Sequence, residues 1–254
     1  MKNSGLFLSL LTLSLLVTAC GAGVPQTVLP AVGIPATEGS PTSTPEAGVT
    51  PADVPTAEAE PPQSEGDALL SAFSAPVTAN GEPLVLYGHL LDGGGAPLVG
   101  YAVEIWQVDA DGIYDHPGDS NTAGRDKGFQ FYGTSVTDEK GLFTFRTVMP
   151  GFYEPRPRHI HFKVKVDGTT LLTSQFYFTG DITAAQLGVG GEMLLLDLTA
   201  AQDGNGNAVK LAFKDVVIDA GGVGGLTLTP SQVEGPYYPV VDVSMYDHDL
   251  AGLP

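Results

Sequence analysis

Residues 147–165 read Thr-Val-Met-Pro-Gly-Phe-Tyr-Glu-Pro-Arg-Pro-Arg-His-Ile-His-Phe-Lys-Val-Lys. They restrict the fold more than any other stretch of the chain. A turn rich in Pro and Gly leads into a run that alternates as a strand does. Side chains two apart on a strand share a face. His159 and His161 therefore project side by side, and Ile160 and Phe162 take the opposite face. Two imidazoles on one strand face are a natural pair of metal ligands. Tyr153 lies six residues before His159 and Arg156 three, so a phenol and a guanidinium crowd the same strand mouth. An isolated His-x-His pair is more often surface or satisfied core, so its meaning depends on what surrounds it.

The surroundings are β-rich. Leu84–Leu91 reads as a strand closed by the turn Asp92-Gly93-Gly94-Gly95, and apolar residues alternate through Tyr101–Gln107. Ser135–Asp138 and Leu142–Thr147 flank Asp138-Glu139-Lys140-Gly141, a hairpin signal. Further strands are expected at 159–166, 169–178 and 211–218, and Ile182–Leu187 suits one short helical turn. Many short strands with Gly-rich turns imply an all-β fold, a β-sandwich of mainly antiparallel strands spanning residues 67–254.

The N-terminal part has a different character. Residues 1–19 carry Lys2 and an apolar run from Leu6 to Val17, too short for a membrane span and placed as a signal peptide core is. The run ends in Leu16-Val17-Thr18-Ala19-Cys20-Gly21, which resembles a bacterial lipoprotein cleavage site. Cys20 is the only cysteine, so no intramolecular disulfide exists. The expectation is a thiol lipidated at the mature N-terminus and an extracytoplasmic protein anchored to the bacterial envelope. Residues 20–66, rich in Pro, Thr, Ala and Glu, lack apolar periodicity and are expected to form a disordered tether. The formal charge is −18. That balance argues against nucleic acid as a partner and against electrostatic adhesion to anionic lipid, leaving the anchor as the membrane contact.

Val103-Glu104-Ile105-Trp106-Gln107 through Asp111-Gly112-Ile113-Tyr114-Asp115-His116-Pro117, then Pro150-Gly151-x-Tyr153, Arg156-Pro157-x-His159-Ile160-His161-Phe162 and Gln175-x-Tyr177-Phe178 occur in that order. Over roughly residues 80–182 this resembles the intradiol ring-cleavage dioxygenases, non-haem iron(III) enzymes that open catechols. The resemblance implies Fe(III) held by Tyr114, Tyr153, His159 and His161. It also implies a catechol-type substrate and O2, and cleavage between the two hydroxyl-bearing carbons to a cis,cis-muconate-type diacid. By the same resemblance Arg156 stabilises developing negative charge, Tyr153 takes up a substrate proton, and Gln175 lines the pocket. An N2O2 set with two phenols suits neither calcium nor structural zinc. His116 is read as a turn cap, His89 as structural and Trp106 as a packing residue.

One segment departs from that pattern. Members of the family usually carry a stretch like Thr229-Pro230-Ser231-Gln232-Val233-Glu234-Gly235-Pro236-Tyr237-Tyr238 before the first core strand, whereas here it follows the last. A circular permutation is the economical explanation. Residues 229–254 are then expected to dock on the domain, with Val233, Tyr237 and Tyr238 burying apolar surface and Leu250 ending near Leu84. The alternative is a swap onto a neighbouring chain, which would make a homo-oligomer. Two other readings of the whole are a non-catalytic β-sandwich binding module and an iron-holding lipoprotein.

Overall fold

The computed structural model describes residues 62–252. The leader, Cys20 and most of the tether lie outside the described residues. Two five-stranded sheets pack face to face. The strands are β1 (Pro83–Asp92), β2 (Ala102–Trp106), β3 (Tyr132–Val136), β4 (Leu142–Val148), β5 (His159–Val166), β6 (Thr169–Phe178), β7 (Leu195–Leu196), β8 (Leu198–Gln202), β9 (Ala208–Phe213) and β10 (Val216–Ile218). In the first sheet β1 is central, antiparallel to β4 and parallel to β9 and β10, with β8 beyond β9. The second runs β3-β2-β5-β6-β7 and is antiparallel except for its last pair.

The period-two pattern decides what enters the core. Leu84, Leu86 and Leu90 from β1, Val103 and Ile105 from β2, Phe143 and Phe145 from β4, and Ile160, Phe162 and Val164 from β5 form one buried cluster between the sheets. Each such side chain, fully buried, contributes about 1.5–3 kcal/mol relative to exposure. The alternate residues of β5, His159, His161 and Lys163, are thereby turned to the outer face of the second sheet.

Several boundaries differ from the sequence reading. The described residues start with a helix, α1 (Pro62–Ala72), whose first turn lies in the stretch expected to be tether. Leu70 of α1 packs on Val85, Tyr87, Val209 and Leu211, covering the outer face of the first sheet. Glu65 Oε2 sits 3.1 Å from His89 Nε2. The apolar positions of this helix are too sparse to stand out among Pro, Ser and Ala, and only the sheet beneath them reveals their role. The turn at Asp138–Gly141 exists, with the Asp138 carboxylate accepting from the Lys140 and Leu142 amides. It does not make a hairpin, because β3 pairs with β2 and β4 crosses to pair with β1. The expected strand 211–218 is two strands broken at Lys214-Asp215, where the Asp215 carboxylate accepts the His89 amide at 2.9 Å and faces its ring Nδ1 at 3.1 Å. The short strands β7 and β8 were not anticipated. The expected helical turn is α2 (Ala184–Leu187).

The C-terminal segment wraps the second sheet in the same chain. It begins beside β10, where Thr229 N–H donates to Val217 O at 2.9 Å, and passes β6, where Ser174 Oγ donates to Pro230 O at 2.6 Å. It then crosses to β3, where Thr134 Oγ1 donates to Val243 O at 2.9 Å. Finally it lies along β4, with Leu250 N–H donating to Arg146 O at 2.7 Å. The Arg146 guanidinium holds both Asp249 Oδ2 at 3.1 Å and Ala75 O at 2.7 Å, tying the end of the segment to the approach to β1. Leu250 joins the cluster that contains Leu84, as expected, but Val233 is 69% exposed and adds nothing to the core.

Leu250 is fully buried, so Leu250→Ala is expected to lower unfolding free energy by about 3 kcal/mol. Val233→Ala should stay within about 0.5 kcal/mol of wild type. Urea denaturation of both variants measures this, and an unaffected Leu250→Ala protein would mean that the segment is not integral to the fold.

Candidate active site

Sheet register assembles the first half of the site. His161 of β5 stands opposite Trp106 of β2 on one side and Gln175 of β6 on the other, and His159 stands opposite Tyr177. All five face outward from the second sheet. The Trp106 ring stacks on His161, centroids 4.7 Å apart and planes 8° apart. The two imidazoles lie 4.8 Å apart, nearly perpendicular.

Loops supply the other half. Tyr114 follows a turn built on two buried carboxylates. Asp109 Oδ1 accepts from the Asp111 and Ile113 amides, and Asp119 Oδ2 accepts from the Tyr114 amide at 2.9 Å. This loop meets the turn carrying Tyr153 backbone to backbone, with Gly151 N–H donating to Asp109 O at 2.8 Å. A Cβ on Gly112 or on Gly151 would run into the opposing main chain, so the approach needs glycine at both positions. It brings the phenol rings of Tyr114 and Tyr153 to 5.5 Å. Tyr237 of the C-terminal segment closes the group, its hydroxyl 3.0 Å from that of Tyr153 and its ring 4.9 Å from that of Tyr114.

The hydrogen bonds assign the proton positions. His159 Nδ1 lies 2.8 Å from Pro157 O, an acceptor only, so Nδ1 carries the hydrogen and Nε2 presents a lone pair. Tyr114 Oη is 3.3 Å from that Nε2. Burial pushes His159 down to about 4, with the neighbouring Arg156 charge adding to the shift. Burial, then His159 and Arg156, push His161 down to about 2. Both imidazoles are therefore neutral near neutral pH, the state in which nitrogen binds metal. Burial drives the Tyr114 phenol far above its ordinary value. The hydrogen bond to Tyr237 leads in pushing Tyr153 up to about 12.

Arg156 anchors the side of the site. Its Nη2 donates to Gln175 Oε1 at 2.8 Å and to Tyr177 Oη at 3.1 Å. Tyr177 Oη donates to the same Gln175 oxygen at 3.0 Å, and Gln175 Nε2 donates to Val233 O at 2.6 Å. Gln175 is thus the junction between the guanidinium, a second tyrosine and the C-terminal segment.

All six residues singled out from sequence meet in this one place: Tyr114, Tyr153, Arg156, His159, His161 and Gln175. Four more belong to it. Tyr177 was visible in the motif around Gln175 but had no role until register set it beside His159. Tyr237 was one of two neighbouring tyrosines that sequence could not tell apart. Asp109 and Asp119 organise the Tyr114 loop, and their signal was the clustering of Asp with Gly and Asn. Trp106 is buried as expected, and it also forms a wall against His161. His116 caps its turn, its Nδ1 accepting the Gly118 amide at 2.9 Å.

The donor set fits a metal ion. Among the described residues no cluster of three His, Cys, Asp or Glu is placed to hold one, so an ion here would need the phenols. His161 Nδ1 is buried without a hydrogen-bond partner among the described residues. The phenols resist ionisation as they stand, and a highly charged cation is what lowers such groups.

The β-sandwich thus carries two buried, neutral imidazoles, the buried Tyr114 phenol and the partly buried Tyr153 phenol together on one outer face, a donor set that would suit a metal ion. A family sequence profile described as "Dioxygenase" matches residues 59–220, and the chain belongs to this family, the intradiol ring-cleavage dioxygenases. Over 115 residues it is 43% identical to a protocatechuate 3,4-dioxygenase beta chain of Burkholderia cepacia, covering 40% of this chain and 48% of that one. Over 138 residues it is 33% identical to a catechol 1,2-dioxygenase of Acinetobacter baylyi, covering 47% and 42%. The chain thus spans about half the length of the curated relatives it matches. Among solved structures, the dioxygenase domain of a carbohydrate-binding protein fusion from Streptomyces sp. SirexAA-E is 32% identical, with a TM-score of 0.44 over 59% of this chain and 85% of that one.

Replacing Gln175 by Leu would leave the Arg156 and Tyr177 donors and the Val233 carbonyl short of partners in a partly buried place. The expected cost is about 2 kcal/mol in urea denaturation. A variant as stable as wild type would show that Gln175 is not the junction described.

Proposed function

We propose that this protein is an iron(III) dioxygenase that opens a catechol-type ring between its two hydroxyl-bearing carbons. Catechol and O2 combine without loss of atoms into a cis,cis-muconate-type diacid. The observation that carries the reading is the convergence of Tyr114, Tyr153, His159 and His161 in one cluster, buried at all but Tyr153, with Arg156 beside it. His159 and His161 would hold the metal as neutral nitrogen donors, and Tyr114 and Tyr153 as phenolates. Iron bound there supplies Lewis acidity that draws electron density from the ring.

The remaining work falls to the chain itself. As a phenolate on the metal, Tyr153 would take up a proton from a substrate hydroxyl, and Tyr237 Oη, 3.0 Å away, would remain its hydrogen-bond partner. Arg156, locked by Gln175 and Tyr177, holds a fixed positive charge against negative charge developing on the substrate. Trp106 covers His161, and Tyr237 packs against Tyr114 and Tyr153. A scaffold used only for binding has no need of this combination.

Purified protein loaded with iron(II) without oxygen and then exposed to air should turn deeply coloured through tyrosinate-to-iron charge transfer. It should consume O2 with at least one member of a catechol panel. Arg156→Ala should keep the colour and lower kcat by roughly 10²–10³. Colourless protein would remove the metal centre. Coloured protein inert towards every catechol would leave the iron-holding reading in its place.

We extend the proposal to location: lipidation at Cys20 anchors the protein, outside the cytoplasm, to the bacterial cell envelope. Its support is the apolar leader ending in Thr18-Ala19-Cys20-Gly21. Cys20→Ser should release the protein into the aqueous phase on phase partition or leave its leader uncleaved, and a variant of mature size still in the detergent-rich phase would rule the anchor out.

A further inference from the structure

Lys163 continues the outward-facing row of β5, two positions beyond His161. Its side chain is only 9% exposed. The ammonium lies 2.7 Å from Glu234 Oε2, 3.3 Å from the centre of the Tyr238 ring and 5.7 Å from that of Trp106. Glu104, next to Lys163 in sheet register, accepts the Tyr238 hydroxyl at 2.9 Å and Lys165 Nζ at 2.7 Å. The C-terminal segment is therefore gripped at Glu234 and at Tyr238. Between the two grips lie Gly235, Pro236 and Tyr237, the last reaching into the site.

This strap is held by point contacts. No helix or strand occurs between Ile218 and Val243, and the outer side of the strap is open, with Val233, Glu234, Pro236 and Val240 exposed. Its inner side rests on the site, since a Cβ on Gly235 would come 3.2 Å from His161 Cε1. A buried ammonium must be paired. Glu234, 45% exposed, is screened by water, so the aromatic faces of Tyr238 and Trp106 complete the pairing.

We infer that Lys163 is a positioning residue that draws this strap onto the sheet through Glu234 and Tyr238, and so sets where Tyr237 stands above Tyr114 and Tyr153. It does not itself touch the reacting atoms. Its consequence for substrate binding rests on the catechol-cleaving reading given above, whereas its hold on the strap is independent of it.

Hydrogen exchange followed by mass spectrometry on full-length, metal-free protein tests the inference. Lys163→Met keeps the stem and removes the charge, and Lys163→Arg keeps both the charge and the contact with the rings. In Lys163→Met the peptide over residues 229–238, whose Thr229 and Gln232 amides donate to Val217 O and Thr173 O, should exchange at least about tenfold faster, with residues 170–178 of β6 within about twofold of wild type. Lys163→Arg should restore most of the strap's protection, and Glu234→Gln should loosen it in the same direction but less. Three results would each overturn the inference: a strap unchanged in Lys163→Met, equal loosening of β6, or no rescue by Arg. Where wild-type protein cleaves a catechol, Lys163→Met should raise KM several-fold and change kcat less. A loss of kcat at constant KM would count against the positioning role. If wild type cleaves none, the functional reading fails and exchange alone decides the role of Lys163.

Discussion

The strict alternation of β5 is the constraint on which the rest depends. One set of its side chains, Ile160, Phe162 and Val164, must be buried between the sheets. Geometry then sends His159, His161 and Lys163 to the other face. That face carries polar and ionisable groups, yet it is not left to water, because His159, His161, Glu104 and Gln175 are all nearly inaccessible. A sheet face of this composition is covered only if each polar group finds a partner. The partners come from outside the sheet: the Tyr114 loop, the turn through Tyr153 and Arg156, and the C-terminal segment.

This makes the outer face of the second sheet a place where local rules are broken for function. Two neutral imidazoles, two phenols far from ionisation and a guanidinium share one small volume. Such a cluster adds less stability than the Leu and Phe side chains it displaces would. The compensation lies in the core between the sheets, which is apolar apart from hydrogen-bonded groups such as Gln107 and Thr147, and in the α1 contact with the far face of the first sheet. Chemistry and stability are thus assigned to opposite faces of the same strand.

Much of this was legible from residue order. The His-x-His alternation, the tyrosines at 114 and 153, and Arg156 three residues before His159 marked the site, and most strand positions followed from apolar periodicity. What escaped has physical reasons. The turn at Asp138–Gly141 has hairpin chemistry, but partner choice between sheets is a long-range matter, and β4 goes to β1. The helix α1 escaped because two apolar contacts, Leu69 and Leu70, in eleven residues do not make a visible stripe. Val233 looked like a core residue by type, but backbone hydrogen bonding at its carbonyl places the side chain outside.

By itself the sequence determined the face on which each β5 side chain lies, since alternation is a local property of an extended chain. It also determined which residue types could serve as metal donors. Only the tertiary structure decided which residues meet. Register put Trp106, His161 and Gln175 in one row across three strands. The path of the C-terminal segment chose Tyr237 rather than Tyr238 for the site and gave Tyr238 to Lys163 and Glu104. Adjacent residues of the same type are indistinguishable in sequence. They are separated by the direction in which a docked backbone points each ring, and that direction is set by contacts more than sixty residues away.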